Sequence, residues 1–164
     1  GRTRTRGSAA APNGGAMGGA TALGGSTRRF AVVDDSMRPT LEPDDWLLAQ
    51  RLRSGPERGD VVIFTHPSYP DWTLIKRVIG LPGQRVTVSA GHMYVDGEVV
   101  PDPWADALMT VDSDELVPDD AVWVMADRRA ASSIDSRVLG PIPIPDIGWK
   151  VIARYWPPAR AGRI

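Results

Sequence analysis

One serine and one lysine, forty residues apart, could together perform nucleophilic catalysis. Ser36 opens the segment Ser36–Leu41, and Lys76 lies inside the apolar stretch Trp72–Ile79. The chain has two lysines against seventeen arginines, and a desolvated lysine can lose its proton whereas arginine cannot. A hydroxyl beside a neutral amine would make a nucleophile and a general base, which is the chemistry of a Ser/Lys hydrolase.

Each of these two residues also has an ordinary structural interpretation. An isolated serine most often caps a turn, and a lysine often lays its stem on apolar surface with its charge in water. To act as a base near neutral pH, Lys76 needs a pKa about 2–3 pH units below ~10.4. Trp72, Leu74 and Ile75 are the neighbours that could lower that pKa by desolvation. The catalytic interpretation therefore requires Lys76 to be buried beside Ser36.

Short apolar runs between Gly and Pro turns predict the elements that position the pair. Asp96-Gly97 indicates a hairpin turn, residues 101–120 are expected to form a loop or small excursion, and no long stretch has helical periodicity. Together these patterns predict an all-β, barrel-like core. The expected strands are Phe30–Val33, Trp46–Ala49, Val61–Phe64, Leu74–Leu81, Arg85–Val88, Met93–Val95, Ala121–Met125 and Trp149–Tyr155.

The composition excludes several classes of function. The 164 residues are enough for one domain, and a net charge of −1 gives no electrostatic case for binding nucleic acid. There are no cysteines, which excludes disulfides, thiolate catalysis and zinc–thiolate sites. Two histidines without ligand-type spacing do not indicate a metal cluster. No metal site is therefore expected.

The first 29 residues differ in composition from the rest of the chain. Residues 1–33 contain five arginines and no acid, and residues 9–25 are too poor in large apolar side chains to span a bilayer. Residues 1–29 are expected to be a disordered tail or linker. The alternative is that the arginines of this segment attach it weakly to a surface. The start at Gly1 and not Met is compatible with the removal of an upstream segment such as a membrane anchor.

Four blocks, in this order, resemble the motifs of the bacterial signal peptidase I family. The resemblance covers residues 30 to 158, and the order of the blocks makes it more specific than any one of them. The blocks are Ser36-Met37-Arg38-Pro39-Thr40-Leu41, Arg58-Gly59-Asp60-Val61-Val62-Ile63-Phe64, Lys76-Arg77-Val78-Ile79-Gly80-Leu81-Pro82-Gly83, and Met125-Ala126-Asp127-Arg128-Arg129 continuing to Ser133-Ile134-Asp135-Ser136-Arg137.

The resemblance implies a fold and a domain organisation. The fold is a complex β-barrel or folded-sheet core with a small β-hairpin insertion at about residues 90–120. The catalytic domain spans residues 30–158, and residues 159–164 form a C-terminal tail. Family members work at the membrane, so the resemblance places the domain at the outer face of the cytoplasmic membrane, with contact to the membrane surface as a possibility.

The resemblance also implies a serine protease that removes signal peptides from exported precursors without a cofactor. Ser36 would attack the scissile carbonyl and Lys76 would take the proton. The cut would follow small residues, often Ala-x-Ala, bound as an added strand. Ser133, or Ser132 in competition with it, would orient the lysine. A structural charge network would lie under the site, formed by Asp127, Arg129, Asp135 and Arg137. The alternative for these four is a surface loop with paired charges.

Two departures from the family pattern bear on the catalytic efficiency that the resemblance implies. The last motif usually reads Gly-Asp-Asn-Arg in the family, whereas residues 126–129 of this chain read Ala-Asp-Arg-Arg. The spacing from this motif to Asp135 is also one residue longer than in the family. The family usually has Ser or Gly two residues before the nucleophile, in some members as an oxyanion donor, where this chain has Asp34. A carboxylate aimed into the site would oppose a developing oxyanion. Asp34 is therefore expected to point away and leave the Ser36 amide as a donor.

Two other functions are compatible with parts of the pattern. A LexA-type self-cleaving protein shares the Ser/Lys pair, but it needs a helix-turn-helix domain that the N-terminal tail cannot form. A non-catalytic descendant that binds extended peptides by strand addition would fit the altered last motif. The presence of both Ser36 and Lys76 argues against it, since a binding module has no use for a buried amine.

Overall fold

Antiparallel strands account for most of the ordered structure. A computed structural model describes residues 17–22, 26–109, 111–129 and 134–164. The strands are β1 (Met17–Ala22), β2 (Thr27–Val32), β3 (Trp46–Arg51), β4 (Val61–His66), β5 (Tyr69–Gly80), β6 (Arg85–Ser89), β7 (His92–Val95), β8 (Glu98–Val99), β9 (Ser113–Leu116), β10 (Ala121–Met125), β11 (Ile142–Pro143), β12 (Ile147–Trp156) and β13 (Gly162–Arg163). The prediction of a mainly β fold is confirmed.

Nine of the described strands form the larger sheet. Their order is β1-β2-β3-β12-β4-β5-β10-β11, and β13 pairs with β12. The last long strand, β12, lies between β3 and β4 and pairs antiparallel with both. It therefore joins the β2–β3 half, which leads to Ser36, to the β4–β5–β10 half, which carries Lys76.

Continuous apolar runs explain why the central strands are buried on both faces. Residues 61–64 of β4 and all of β10 are buried, as is the second half of β5 from Leu74 onward. One core cluster packs Phe30 of β2 against Ile75 of β5, together with Met37 and Leu41 from the loop after β2. The nucleophile loop is thus anchored in the core by its own apolar residues.

A smaller sheet of the order β8-β7-β6-β9 packs beside the main one. Its hairpin turns at Asp96-Gly97, where both residues have positive φ, 53° and 81°, as a type I′ turn requires. Strand β9 (Ser113–Leu116) lies inside the range 101–120 that was expected to form a loop or small excursion. It pairs with β6, with Arg85 opposite Leu116, so backbone pairing with an existing strand overrides its acidic composition.

Described strands also lie in the two ranges for which the sequence predicts tails. Within residues 1–29, β1 pairs with β2, and β2 already begins at Thr27. Within residues 159–164, β13 pairs with β12. Strand pairing is made by backbone groups and needs no large apolar side chains, which is why composition did not reveal these segments.

Helical structure is short in the described part of the chain. The one α-helical turn, α1 (Ser136–Leu139), follows Asp135, whose side chain accepts from the Arg137 amide as an N-cap. No helix of the described residues has the length and apolar character needed to cross a membrane.

Candidate active site

Ser36 lies in the turn that follows β2 and is 3% exposed. The Arg38 amide donates to the Asp35 carbonyl at 3.1 Å, and the Leu41 amide donates to the Met37 carbonyl at 2.8 Å. The Ser36 carbonyl accepts from the Arg128 amide at 3.0 Å. The loop is therefore fixed by its own turn and by the segment that follows β10, which leaves the Ser36 hydroxyl aimed at β5.

Lys76 is fully buried on β5, opposite Val62 of β4. Its Nζ donates to the Ser36 Oγ at 3.0 Å and to the Ile75 carbonyl at 2.8 Å. The snorkelling interpretation is excluded for this lysine, because its ammonium has no access to water. The structure thus brings the predicted nucleophile and the predicted base into hydrogen-bond contact.

Burial lowers the pKa of Lys76 from 10.5 to about 8. The carboxylates of Asp135, Asp34 and Asp127 act in the opposite direction and raise that pKa, but desolvation is the larger effect. About one tenth of the amine is then neutral at pH 7. A neutral Nζ still donates to the Ile75 carbonyl and has a lone pair that accepts the Ser36 hydroxyl proton.

The expectation that Asp34 points away from the site is wrong. Its Oδ1 accepts a hydrogen bond from the Ser36 backbone amide at 3.1 Å, so the carboxylate holds the donor that was expected to serve an oxyanion. The physical reason is local, since an Asp side chain readily caps the amide two residues further along in a turn.

Arg77 and Asp127 form a buried ion pair on the other face of β5. Two hydrogen bonds of 2.8 Å join the guanidinium to the two carboxylate oxygens, and the two side chains are 3% and 0% exposed. Arg77 also donates to the Gly59 carbonyl at 2.7 Å and lies 4.5 Å from the Trp104 ring centroid. Gly59 has a φ of 91°, and a Cβ there would meet the Trp104 ring at 3.1 Å.

Arg129, Asp135 and Arg137 extend this network beneath the site. Arg129 is 1% exposed and bonds the Asp102 carboxylate at 2.9 and 3.0 Å. Arg137 bonds the buried Asp135 at 2.7 and 3.0 Å and donates to the Arg129 carbonyl at 2.9 Å. Asp135 also accepts from the Ala126 amide at 2.9 Å. These four predicted network residues are therefore not a solvated surface loop.

Ser132 and Ser133, which the resemblance offers as the lysine-orienting serine, lie outside the described residues. Their role stays a prediction. The neighbouring Ser136 is buried, but its Oγ accepts from the Val124 amide at 2.8 Å, which assigns it to β10 and not to the lysine.

Several contacts of the site were not predicted from the sequence. Asp35 forms an ion pair with Arg128 across 93 positions, and the Thr40 hydroxyl accepts from Arg77 at 3.3 Å. The sequence shows two adjacent acids, Asp34-Asp35, and two adjacent arginines, Arg128-Arg129. It does not show which acid pairs with which arginine. No group of three or more potential ligands in the described ranges is arranged to hold a metal ion.

A serine hydroxyl bonded to a buried lysine amine, on an antiparallel β fold, is the arrangement of a Ser/Lys hydrolase. The family model described as signal peptidase, peptidase S26, matches residues 20–156 of this chain. The chain belongs to this family.

Named relatives agree with this assignment. A probable signal peptidase I-2 of Synechocystis sp. is 35% identical over 142 residues, which cover 80% of this chain and 64% of the relative. A signal peptidase I of Bacillus caldolyticus is 35% identical over 146 residues, covering 78% of this chain and 79% of the relative. The chain thus spans somewhat less than two thirds of the Synechocystis protein and about four fifths of the Bacillus one.

A solved structure supports the fold. The crystal structure of a signal peptidase I from Enterococcus faecalis superposes with a TM-score of 0.50 and 24% identity. The match covers 57% of this chain and 94% of that chain. At this identity the likeness concerns the fold alone, which is the mainly β architecture described above.

Proposed function

We propose that this chain is a serine endopeptidase that cleaves signal peptides from exported precursors. The observation that carries the proposal is the 3.0 Å contact between the buried Lys76 amine and the Ser36 hydroxyl in a chain of the peptidase S26 family. The named relatives are signal peptidases, which supports the same substrate class.

The proposed reaction begins with deprotonation of Ser36 by the neutral amine of Lys76. The Ser36 Oγ bonds to the scissile carbonyl carbon, and the proton moves to Nζ. The ammonium of Lys76 then protonates the leaving amine as the peptide bond breaks. Water, deprotonated by Lys76, attacks the acyl ester and releases Ser36 and the signal peptide. Asp127, Arg129, Asp135 and Arg137 are proposed to hold β5 and the loop after β10 in place.

The proposed substrate site is the edge of β5 next to Lys76. Strand β5 pairs with β4 from Tyr69 to Arg77, but with β10 only at Arg77, Val78 and Gly80. Within the described residues, the part of β5 before Lys76 therefore has no ladder partner on its second edge. An extended precursor adding along this edge would bring its backbone past Ser36.

Exposed aromatic residues support the proposed location at the outer face of the cytoplasmic membrane. Trp46, Tyr155 and Trp156 are 36%, 39% and 52% exposed, and Arg29 lies 5.6 Å from the Tyr155 ring. Aromatic and basic side chains are favoured at the lipid headgroup level. Flotation of the protein with anionic lipid vesicles would test its attachment to a membrane surface, and a protein left at the bottom of the gradient would contradict that attachment.

Replacing Ser36 by alanine is expected to abolish cleavage of a synthetic signal peptide, because no other hydroxyl is bonded to the Lys76 amine in the described structure. Cleavage is followed by mass spectrometry of the products. Ser68→Ala is the matched control, since Ser68 lies in the exposed turn between β4 and β5. This variant should cleave the peptide at the wild-type rate. Unchanged cleavage by Ser36→Ala would refute the proposed nucleophile.

Replacing Asp34 by serine is expected to raise kcat/KM by roughly 2- to 12-fold, the equivalent of one net hydrogen bond of 0.5–1.5 kcal/mol. The Ser36 amide would no longer be held by a carboxylate and would be available to the oxyanion. Asp34→Asn, which keeps an acceptor oxygen without the charge, should give a smaller gain. Lower activity in Asp34→Ser would show instead that the cap is needed to build the turn.

A further inference from the structure

Strand β1 contacts both strands that lead to the reactive pair. It pairs antiparallel with β2, with Met17 opposite Val32 and Gly18 opposite Ala31. It also lies close to β5, the strand that carries Lys76. Val32 precedes Ser36 by four positions, so the first residues of β1 lie at the end of β2 nearest the nucleophile. A segment of the chain itself is thus placed between the strands that border the site.

In this position β1 occupies backbone N–H and C=O groups of β2 that another strand would need in order to pair there. Strand β2 pairs with β3 on one edge, from Thr27 to Ala31, and with β1 on the other. Because β1 holds this edge of β2 and also lies close to β5, a precursor that adds along β5 towards Ser36 would collide with β1. The proximity of β1 to β5 places it beside the edge proposed above for the substrate.

We infer that β1 is an internal competitor of the substrate, which must leave β2 before a precursor can bind. The inference rests on the proposed function, since it concerns the same peptide site. The residue types fit this role: β1 reads Met-Gly-Gly-Ala-Thr-Ala, and Ala20-Thr21-Ala22 has the small-x-small pattern that the family resemblance implies for precursors.

The pairing of β1 is weak enough to be reversible. Its register shifts between Gly18 and Thr21, which interrupts the ladder, and two adjacent glycines lose more backbone entropy on pairing than other residues would. Both features favour an open form in which β1 has left β2. When only a fraction of the protein is open, the apparent affinity falls by that fraction, so β1 raises KM and leaves kcat unchanged.

A reversible disulfide between β1 and β2 tests this inference in the whole chain. The protein has no cysteine, and directly opposed residues of an antiparallel pair have the Cα separation that a disulfide requires. The double variant Gly18→Cys/Ala31→Cys is oxidised, verified as a crosslinked monomer by mass spectrometry, and assayed with a synthetic signal peptide before and after reduction. Each single cysteine variant is the control.

The oxidised double variant is expected to cleave the peptide at least tenfold more slowly, and reduction should restore the rate. Neither single variant should respond to oxidation. Failure of the crosslink to form would overturn the inference, because β1 would then not lie against β2. A crosslinked protein that cleaves at its reduced rate would overturn it as well.

Peptide binding separates this inference from the proposed function. Anisotropy of a fluorescein-labelled signal peptide reports binding without cleavage, and oxidation should weaken it at least tenfold. If oxidation weakens peptide binding but the protein cleaves no peptide in either state, the inference about β1 is supported and only the proposed protease activity is contradicted. Gly18→Pro gives a second variant, since proline is disfavoured within a paired strand. It should lower KM severalfold at unchanged kcat, and an unchanged KM would contradict the inference.

Discussion

Replacing Lys76 by methionine is expected to lower kcat for signal-peptide cleavage by roughly 10²–10⁴-fold, the usual contribution of a general base. Methionine fills the buried space of the lysine stem but has no amine to accept the Ser36 proton. Lys150→Met is the matched control, because Lys150 is the second of the two lysines and is paired with Asp60 at 2.7 Å. A rate loss of similar size in both variants would contradict the role given to Lys76.

The pH dependence of the wild-type rate gives the second measurement of this prediction. Burial lowers the pKa of Lys76 to about 8, and only the neutral amine accepts a proton. We therefore expect kcat/KM to rise with pH through about 8 and to level off above it. A rate that stays level from pH 6 to pH 10 would show that the cleavage does not depend on this amine.

The same substitution is expected to stabilise the protein near neutral pH. Between pH 8 and 10.5 the unfolded chain binds the Lys76 proton and the folded chain does not, so wild-type stability rises with pH in this window. Below pH 8 the buried charge costs about 3 kcal/mol, which Lys76→Met removes. Urea unfolding of both proteins should show a difference that shrinks as the pH rises from 8 to 10.5. An unchanged difference would contradict the assigned pKa.

Replacing Asp127 by alanine is expected to lower the free energy of unfolding by about 3–5 kcal/mol, because it leaves the Arg77 guanidinium buried without its partner. Both side chains of this pair are almost fully buried, and two hydrogen bonds of 2.8 Å join them. A loss of this size is a large part of the stability of an ordinary domain. Urea unfolding followed by tryptophan fluorescence measures it.

An exposed ion pair of equal length provides the control for Asp127. Arg85 and Asp114 also meet at 2.8 Å, but their side chains are 53% and 56% exposed. Asp114→Ala should therefore lower the free energy of unfolding far less than Asp127→Ala does. If the two alanine variants lose the same stability, burial is not what makes the Arg77–Asp127 pair important.

The sequence was sufficient to predict the apolar strands and the pairing of Ser36 with Lys76. Apolar runs bounded by Gly and Pro mark the strands because burial of those runs drives their formation. Lys76 was identifiable because an ionisable amine in such a run is costly unless it has a function. These signals are local, and each is carried by residues that are adjacent in the chain.

The rest depends on contacts that local patterns do not encode. Asp34 was expected to turn away, but the turn geometry places its carboxylate on the Ser36 amide. The acidic strand β9 and the glycine-rich strand β1 have no strand-like side-chain pattern, and each is held by pairing with a neighbouring strand. Matching Asp35 to Arg128 or Arg77 to Asp127 requires the fold itself.

The central position of β12 has a consequence for the order in which the site can assemble. Residues 36 and 76 are both made early, but their strands belong to halves of the sheet that only β12 joins. A nascent chain that has not yet added residues 147–156 therefore lacks the backbone pairing between these halves, and Ser36 is held near Lys76 only by core packing and by the Arg128 amide. During synthesis from the N-terminus, the backbone pairs that join the Ser36 half of the sheet to the Lys76 half would be complete only after residues 147–156 have been added.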